Sequence, residues 1–120
     1  MPWQLDQNRQ IWLQLEEILI RRIVSGDYPA GSRIPSVRDL AAEAGVNPNT
    51  MQRALTHLEE SKLVGAQRNT GRFVTEDEAL LAAFRKELAQ RELEAFREKM
   101  HLLGFDTQQI MDMLQKEGST

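Results

Sequence analysis

The 120-residue chain has no cysteine. That excludes a disulfide framework, a thiol nucleophile and any thiolate metal site. Only two histidines are present, His57 and His101, which leaves little for catalytic triads or multi-histidine metal centres. No apolar run approaches the roughly 20 residues that cross a bilayer. The opening MPWQLDQNRQ lacks the basic stretch and apolar run of a secretory leader. A cytoplasmic chain with no membrane partner is the expectation. These absences point away from an enzyme, and nothing calls for a cofactor or a metal. What is present, 41% hydrophobic and 28% charged residues, is the mix of a soluble globular protein. The length suits one domain, or a small domain with an appendage.

Net positive charge is also lacking, at -3 overall, but the distribution is uneven. Residues 1–75 carry nine Lys/Arg against eight Asp/Glu, and residues 76–120 carry six against ten. Between residues 31 and 75 there are six basic side chains and four acidic ones. An acidic tail thus masks a mildly basic front half, which permits nucleic-acid binding without demonstrating it.

Hydrophobic periodicity divides the chain. Ile11, Leu15, Ile18, Leu19 and Ile23 share one face of a helix over about residues 8–25. Gly26 stops it and Pro29 sets a turn. Ser32-Arg33-Ile34 suits a very short strand. Ser36 caps the next helix, with Asp39 completing its first turn, and Gly45 ends it after about two turns. Asn47 caps a third helix with Pro48 at its first position. Val46 and Met51 are spaced as a hydrophobic staple across that cap. Met51, Ala54, Leu55 and Leu58 turn inward.

Residues 63–66 and 72–74 read as strands of a hairpin around Arg68-Asn69-Thr70-Gly71. Thr75 and Glu78 fit a capping box for a long helix to about residue 103. Leu81, Phe84, Leu88, Phe96 and Met100 form its apolar stripe. Phe105, Asp106, Gln109 and Ile110 repeat the staple and box before a last helix to about residue 116.

Helix, helix, tight turn, helix and hairpin make a winged helix-turn-helix, in a mainly α fold. The expected division is residues 1–75 as this winged domain and 76–120 as a two-helix dimerisation region. The third helix can enter a DNA major groove with its N-terminal end leading. At 100° per residue, Asn49, Gln52, Arg53 and Thr56 lie opposite its apolar face. Asn, Gln and Arg are the side chains that pair with adenine and guanine edges. Each alone is an ordinary solvated residue. With the turn, the hairpin and no carboxylate through Thr56, they point to DNA.

The segments Ile34-Pro35-Ser36-Val37-Arg38-Asp39-Leu40-Ala41 and Val46-Asn47-Pro48-Asn49-Thr50-Met51-Gln52-Arg53-Ala54-Leu55 resemble the N-terminal domain of GntR-type bacterial transcription regulators. The resemblance spans about residues 9–75, and the short tail resembles the YtrA-type branch. It implies DNA contact by Arg38, by Asn47, Pro48, Asn49 and Thr50 at the recognition-helix start, and by a wing whose second glycine is Gly71. It also implies a dimerising helical tail with no large effector domain, and control of a transporter operon. Three positions depart from the family pattern. Gln52 stands where many members have arginine, with Arg53 following. Asn69 replaces the first wing glycine, and Lys62 the glycine after the recognition helix.

Arg68 and Arg72 flank the wing tip and suit phosphate or minor-groove contact. Arg33 fits a phosphate contact and a plain surface residue equally well. His57 reads as a surface or packing residue, and Trp3 and Trp12 as anchors of the N-terminal segment or a dimer seam. Glu98 and His101 have the Glu-x-x-His spacing of di-iron bundles, a short and common pattern. Met100, Met111 and Met113 read as gap-filling core. The long helix would expose its stripe without a partner, so a homodimer is expected. The whole reads as a homodimeric repressor on an inverted-repeat operator of double-stranded DNA. Two alternatives stay open: a winged-helix module for protein contacts, and a ligand- or metal-responsive sensor. Any small effector must sit between the C-terminal helices or at the dimer seam, because 45 residues after Thr75 leave no room for a layered ligand domain.

Overall fold

A computed structural model describes residues 3–67 and 70–118. Its elements are α1 (Ile11–Val24), α2 (Val37–Ala44), α3 (Pro48–Glu60), β1 (Val64–Gln67), β2 (Gly71–Val74), α4 (Glu78–Leu102) and α5 (Thr107–Gly118). The chain separates into two compact units, Met1–Arg85 and Lys86–Thr120.

In the first unit, α3 packs on α1 and α2. Leu15 and Leu19 of α1, Leu40 of α2, and Met51, Leu55 and Leu58 of α3 are fully or almost fully buried. Helix periodicity delivers this core directly, since residues three and four apart share a face. The turn between α2 and α3 is equally local in origin. Gly45 adopts the left-handed conformation (φ 76°). The amides of Gly45 and Val46 both bond back to the Ala41 carbonyl, which closes the helix end. The Ser36 hydroxyl accepts from the Asp39 amide (3.1 Å), and the Asn47 side-chain oxygen from the Asn49 amide (2.7 Å). Both helix starts are thus capped as their sequences dictate.

Two helix starts differ from expectation, and a side chain explains each. The α1 helix begins at Ile11 rather than near Asn8, because Gln14 holds the preceding segment as a loop. Its buried amide accepts from the Asp6 N–H (2.7 Å) and donates to the carbonyls of Asp6 (2.7 Å) and Arg9 (3.2 Å). The α4 helix is capped by Asp77, whose carboxylate accepts from the Leu80 amide (3.1 Å). Thr75 sits two residues earlier, its hydroxyl accepting from the Asp77 amide (3.1 Å).

The wing strands pair antiparallel with Val64 opposite Val74 and Gln67 opposite Gly71. Arg33 adds a one-residue bridge to Phe73, fixed by Ile34 N–H to Arg72 O (3.0 Å) and Val74 N–H to Ser32 O (2.8 Å). This bridge ties the wing to the segment that leads into α2. Lys62, at the position where the family favours glycine, keeps the left-handed geometry (φ 71°).

Leu81 is 4% exposed and belongs to the core of the first unit, with Phe84 packed against that core. Arg85 donates to the Val24 carbonyl at the end of α1 (3.1 Å). The first two turns of α4 therefore belong to the winged unit. Leu81 is buried by its own chain and offers no surface to a partner.

In the second unit, Gly104 (φ 97°) reverses the chain. The Phe105 amide bonds to Met100 O (3.1 Å) and the Gly104 amide to His101 O (2.9 Å), a left-handed helix cap of the Schellman type. Asp106 and Gln109 then form a reciprocal capping box, each side chain accepting the other's amide (2.8 Å both). Ile110 is buried, whereas Leu93, Phe96, Leu102, Leu103, Met111, Met113 and Leu114 are exposed, so Met111 and Met113 are not the gap-filling core expected of them within one chain. No helix among the described residues is long and apolar enough to cross a membrane.

Candidate nucleic-acid interface

The buried face of α3 forces its other residues outward. Asn47, Pro48, Asn49, Gln52, Arg53 and Thr56 are exposed and Thr50 is half-buried. No carboxylate occurs from Asn47 to Leu58. The helix start adds a positive dipole end, with the Asn49 amide bonded to the Asn47 side chain and the Thr50 and Met51 amides to the Asn47 carbonyl. Asn47 uses its side-chain oxygen as a cap, which leaves its amide hydrogens for a ligand. Gln52 donates to the Thr56 hydroxyl (3.2 Å), a bond between exposed groups that a base edge can replace at little cost.

A cleft of about 290 Å³ lies between the start of α2 and the wing, lined by Arg33, Pro35, Ser36, Arg38, Gly71 and Arg72. Three arginines and a glycine backbone thus meet at one surface. Gly71 has φ 103°, and a Cβ there would lie 2.8 Å from the Arg33 Nε. The positive φ favours glycine here, while the Arg33 guanidinium, at the end of a flexible side chain, can give way to a Cβ. Arg38 is exposed on a helix whose buried neighbour, Leu40, anchors it.

Two of the arginines selected from sequence have intrachain partners. Arg72 donates to the Glu59 carboxylate, which links the wing to the end of α3 and leaves Arg72 only partly open to a ligand. Arg53 lies over the Trp12 ring, 4.5 Å from its centroid. Neither partner was legible beforehand, because Glu59 and Trp12 are distant in sequence and carry no motif. Arg68 and Asn69 lie outside the described residues. His57 pairs with Glu16, so it has a partner on α1. Trp3 anchors the N-terminal segment, its indole donating to Glu43 (2.6 Å) and its ring meeting the Arg22 guanidinium (4.6 Å). Arg22 in turn pairs with Glu43 (2.6 Å). This hydrogen-bonded guanidinium, assisted by the Trp3 N–H, holds the Glu43 carboxyl below its ordinary range against the opposing effect of burial. Leu88 and Met100 are half-buried and Phe96 is 40% exposed. No group of three metal-ligating side chains converges among the described residues.

Two short helices across a tight turn, with an outward polar recognition face and an arginine-lined wing cleft, define a winged helix-turn-helix regulator. The family model for bacterial regulatory proteins of the gntR family matches residues 12–74. The chain belongs to this family and is a transcription regulator with a DNA-binding helix-turn-helix. It is 30% identical over 112 residues to the uncharacterized HTH-type transcriptional regulator YhcF of Bacillus subtilis, covering 93% of each chain. It is 25% identical to the HTH-type transcriptional repressor YtrA of the same organism, covering 89% of this chain and 80% of YtrA. Among solved structures, a GntR family transcriptional regulator from Listeria monocytogenes superposes with a TM-score of 0.82 at 34% identity. That match covers 93% of this chain and 98% of the other.

Proposed function

We propose that the chain is a homodimeric repressor that binds an inverted-repeat operator and acts by occluding a promoter. The observation that carries this reading is the exposed Asn49, Gln52, Arg53 and Thr56 row, free of carboxylates, together with a separate cleft at the wing lined by Arg33, Arg38 and Arg72. In this reading Asn49, Gln52 and Arg53 read base edges in the major groove. Asn47, Pro48 and Thr50 bring the helix end against the backbone. Arg38 fixes the approach, and the wing residues Arg68, Asn69, Gly71 and Arg72 are assigned to the adjacent backbone or minor groove. One recognition helix reads only a few base pairs, so discrimination requires two copies on two inverted half-sites, about one helical turn apart or a multiple of it. Exposed Leu93 and Phe96 on α4, with Leu88 and Met100 of the same helix, support a second copy as the partner of the tail. The name of the similar B. subtilis YtrA supports repression. The cytoplasm is the compartment this function requires.

Selection of bound fragments from a bacterial genome, followed by footprinting, tests the reading. A two-fold symmetric protected site is expected. Arg38→Ala should then weaken binding by about 1–3 kcal/mol with unchanged thermal unfolding. Gln52→Ala should change the ranking of operator variants more than the overall affinity. Protection of one asymmetric half-site by a monomer overturns the dimeric mechanism.

A further inference from the structure

Trp12 occupies the first turn of α1, and Arg53 the second turn of α3. The Arg53 guanidinium carbon lies 4.5 Å from the Trp12 ring centroid, within the range of a cation–π contact. The ring is held from two other sides. Its N–H donates to the Gln10 side chain (2.7 Å), and His57 meets it edge-on with centroids 5.2 Å apart and planes at 69°. His57 is itself held by Glu16, one turn beyond Trp12. The residue pairs Trp12/Glu16 and Arg53/His57 therefore interlock across α1 and α3.

A cation–π contact uses the face of a guanidinium and leaves its N–H edge for other partners. No carboxylate pairs with Arg53 among the described residues. A recess of about 330 Å³ beside the stack is lined by Asn49 and Thr50 as well as Trp12 and Arg53. The held guanidinium thus borders the same surface as the start of the recognition helix. An unrestrained arginine would lose much of its rotamer freedom on binding, and a stacked one has lost part of it already.

We propose that Trp12 is a positioning residue for Arg53. It holds the guanidinium edge for paired hydrogen bonds to a guanine and so sets base preference at one operator position. This rests on the DNA-binding reading above.

The test uses the full chain and an operator selected from genomic fragments. Affinities are measured against every single-base-pair variant of that operator. Arg53→Ala should cost about 5- to 150-fold on the cognate site and flatten preference at one base pair per half-site. Trp12→Leu should flatten preference at that same base pair, with a loss of about 2- to 5-fold. It should cost nothing further in the Arg53→Ala background. Trp12→Phe keeps a ring and packs similarly, so it serves if the leucine variant does not fold, and a smaller shift at the same base pair is expected. Arg53→Lys retains the charge and should still lose the preference.

Three results overturn the proposal: Trp12 variants that weaken all operator variants equally, Trp12 variants that leave the preference intact, or losses that add fully to that of Arg53→Ala. If the unmodified protein selects no fragment, the DNA reading falls first and takes this proposal with it. If it selects an operator that Arg38→Ala weakens while Trp12 variants change nothing, only the proposal fails.

Discussion

Leu81→Ala separates the core role of α4's first turns from any role in a dimer seam. Leu81 is 4% exposed and lies in the same cluster as Leu15, Leu55 and Val74. Truncation removes three buried carbons and leaves a cavity, for an expected loss of about 3 kcal/mol. A unit of this size loses about 4–8 °C of midpoint per kcal/mol, so a fall of roughly 12–24 °C is expected. Domains are stable by only about 5–15 kcal/mol, so the effect is large enough to read in urea at room temperature. Both tryptophans, Trp3 and Trp12, lie in the winged unit, so intrinsic fluorescence follows that unit's unfolding. The urea midpoint should drop with the slope unchanged. Sedimentation at a concentration where the variant is folded should give the same oligomeric mass as the unmodified protein. A loss below about 1 kcal/mol, or an intact midpoint with a reduced mass, would refute the assignment of Leu81 to the core.

Leu93→Glu with Phe96→Glu alters only side chains exposed on one chain. It should give a monomer by sedimentation and weaken operator binding while the fluorescence midpoint holds, and a dimeric double variant places the seam elsewhere. Glu43→Gln should lower stability by less than about 1 kcal/mol at pH 7, because the pair with Arg22 is partly solvated. Since the folded carboxyl titrates below its reference value of 4.5, the difference between the two proteins should be full above that pH. It should vanish as pH falls through the folded value, as followed by circular dichroism in urea. A difference that grows on acidification contradicts the sign. Lys62→Gly should raise the urea midpoint slightly, because it relieves a left-handed strain of about 1–2 kcal/mol against a backbone entropy cost of about 0.5–1 kcal/mol. A lower midpoint would show that Lys62 is held there by favourable contacts.

Element order, the caps at Ser36, Asn47 and Asp106, and the inward faces of α1, α2 and α3 all follow from residues within a few positions of one another. A helix carries its own period and a cap its own hydrogen bond, so these features are legible without tertiary structure. The outward row of Asn49, Gln52 and Arg53 is legible for the same reason, as the complement of a buried stripe. The start of α1 is not, because Gln14 reaches back to bond a loop that helix propensity alone would extend. Nor is the place of Leu81, which has the same spacing as Leu88 and Phe96 along α4. Periodicity says that a residue is apolar on one face. Whether its own chain or another covers that face depends on where the helix lies. The partners of Arg53 and Arg72 belong to the same class. A guanidinium's reach takes in many surface positions, and only the packing of α1 on α3, and of the wing beside α3, brings Trp12 and Glu59 within contact distance.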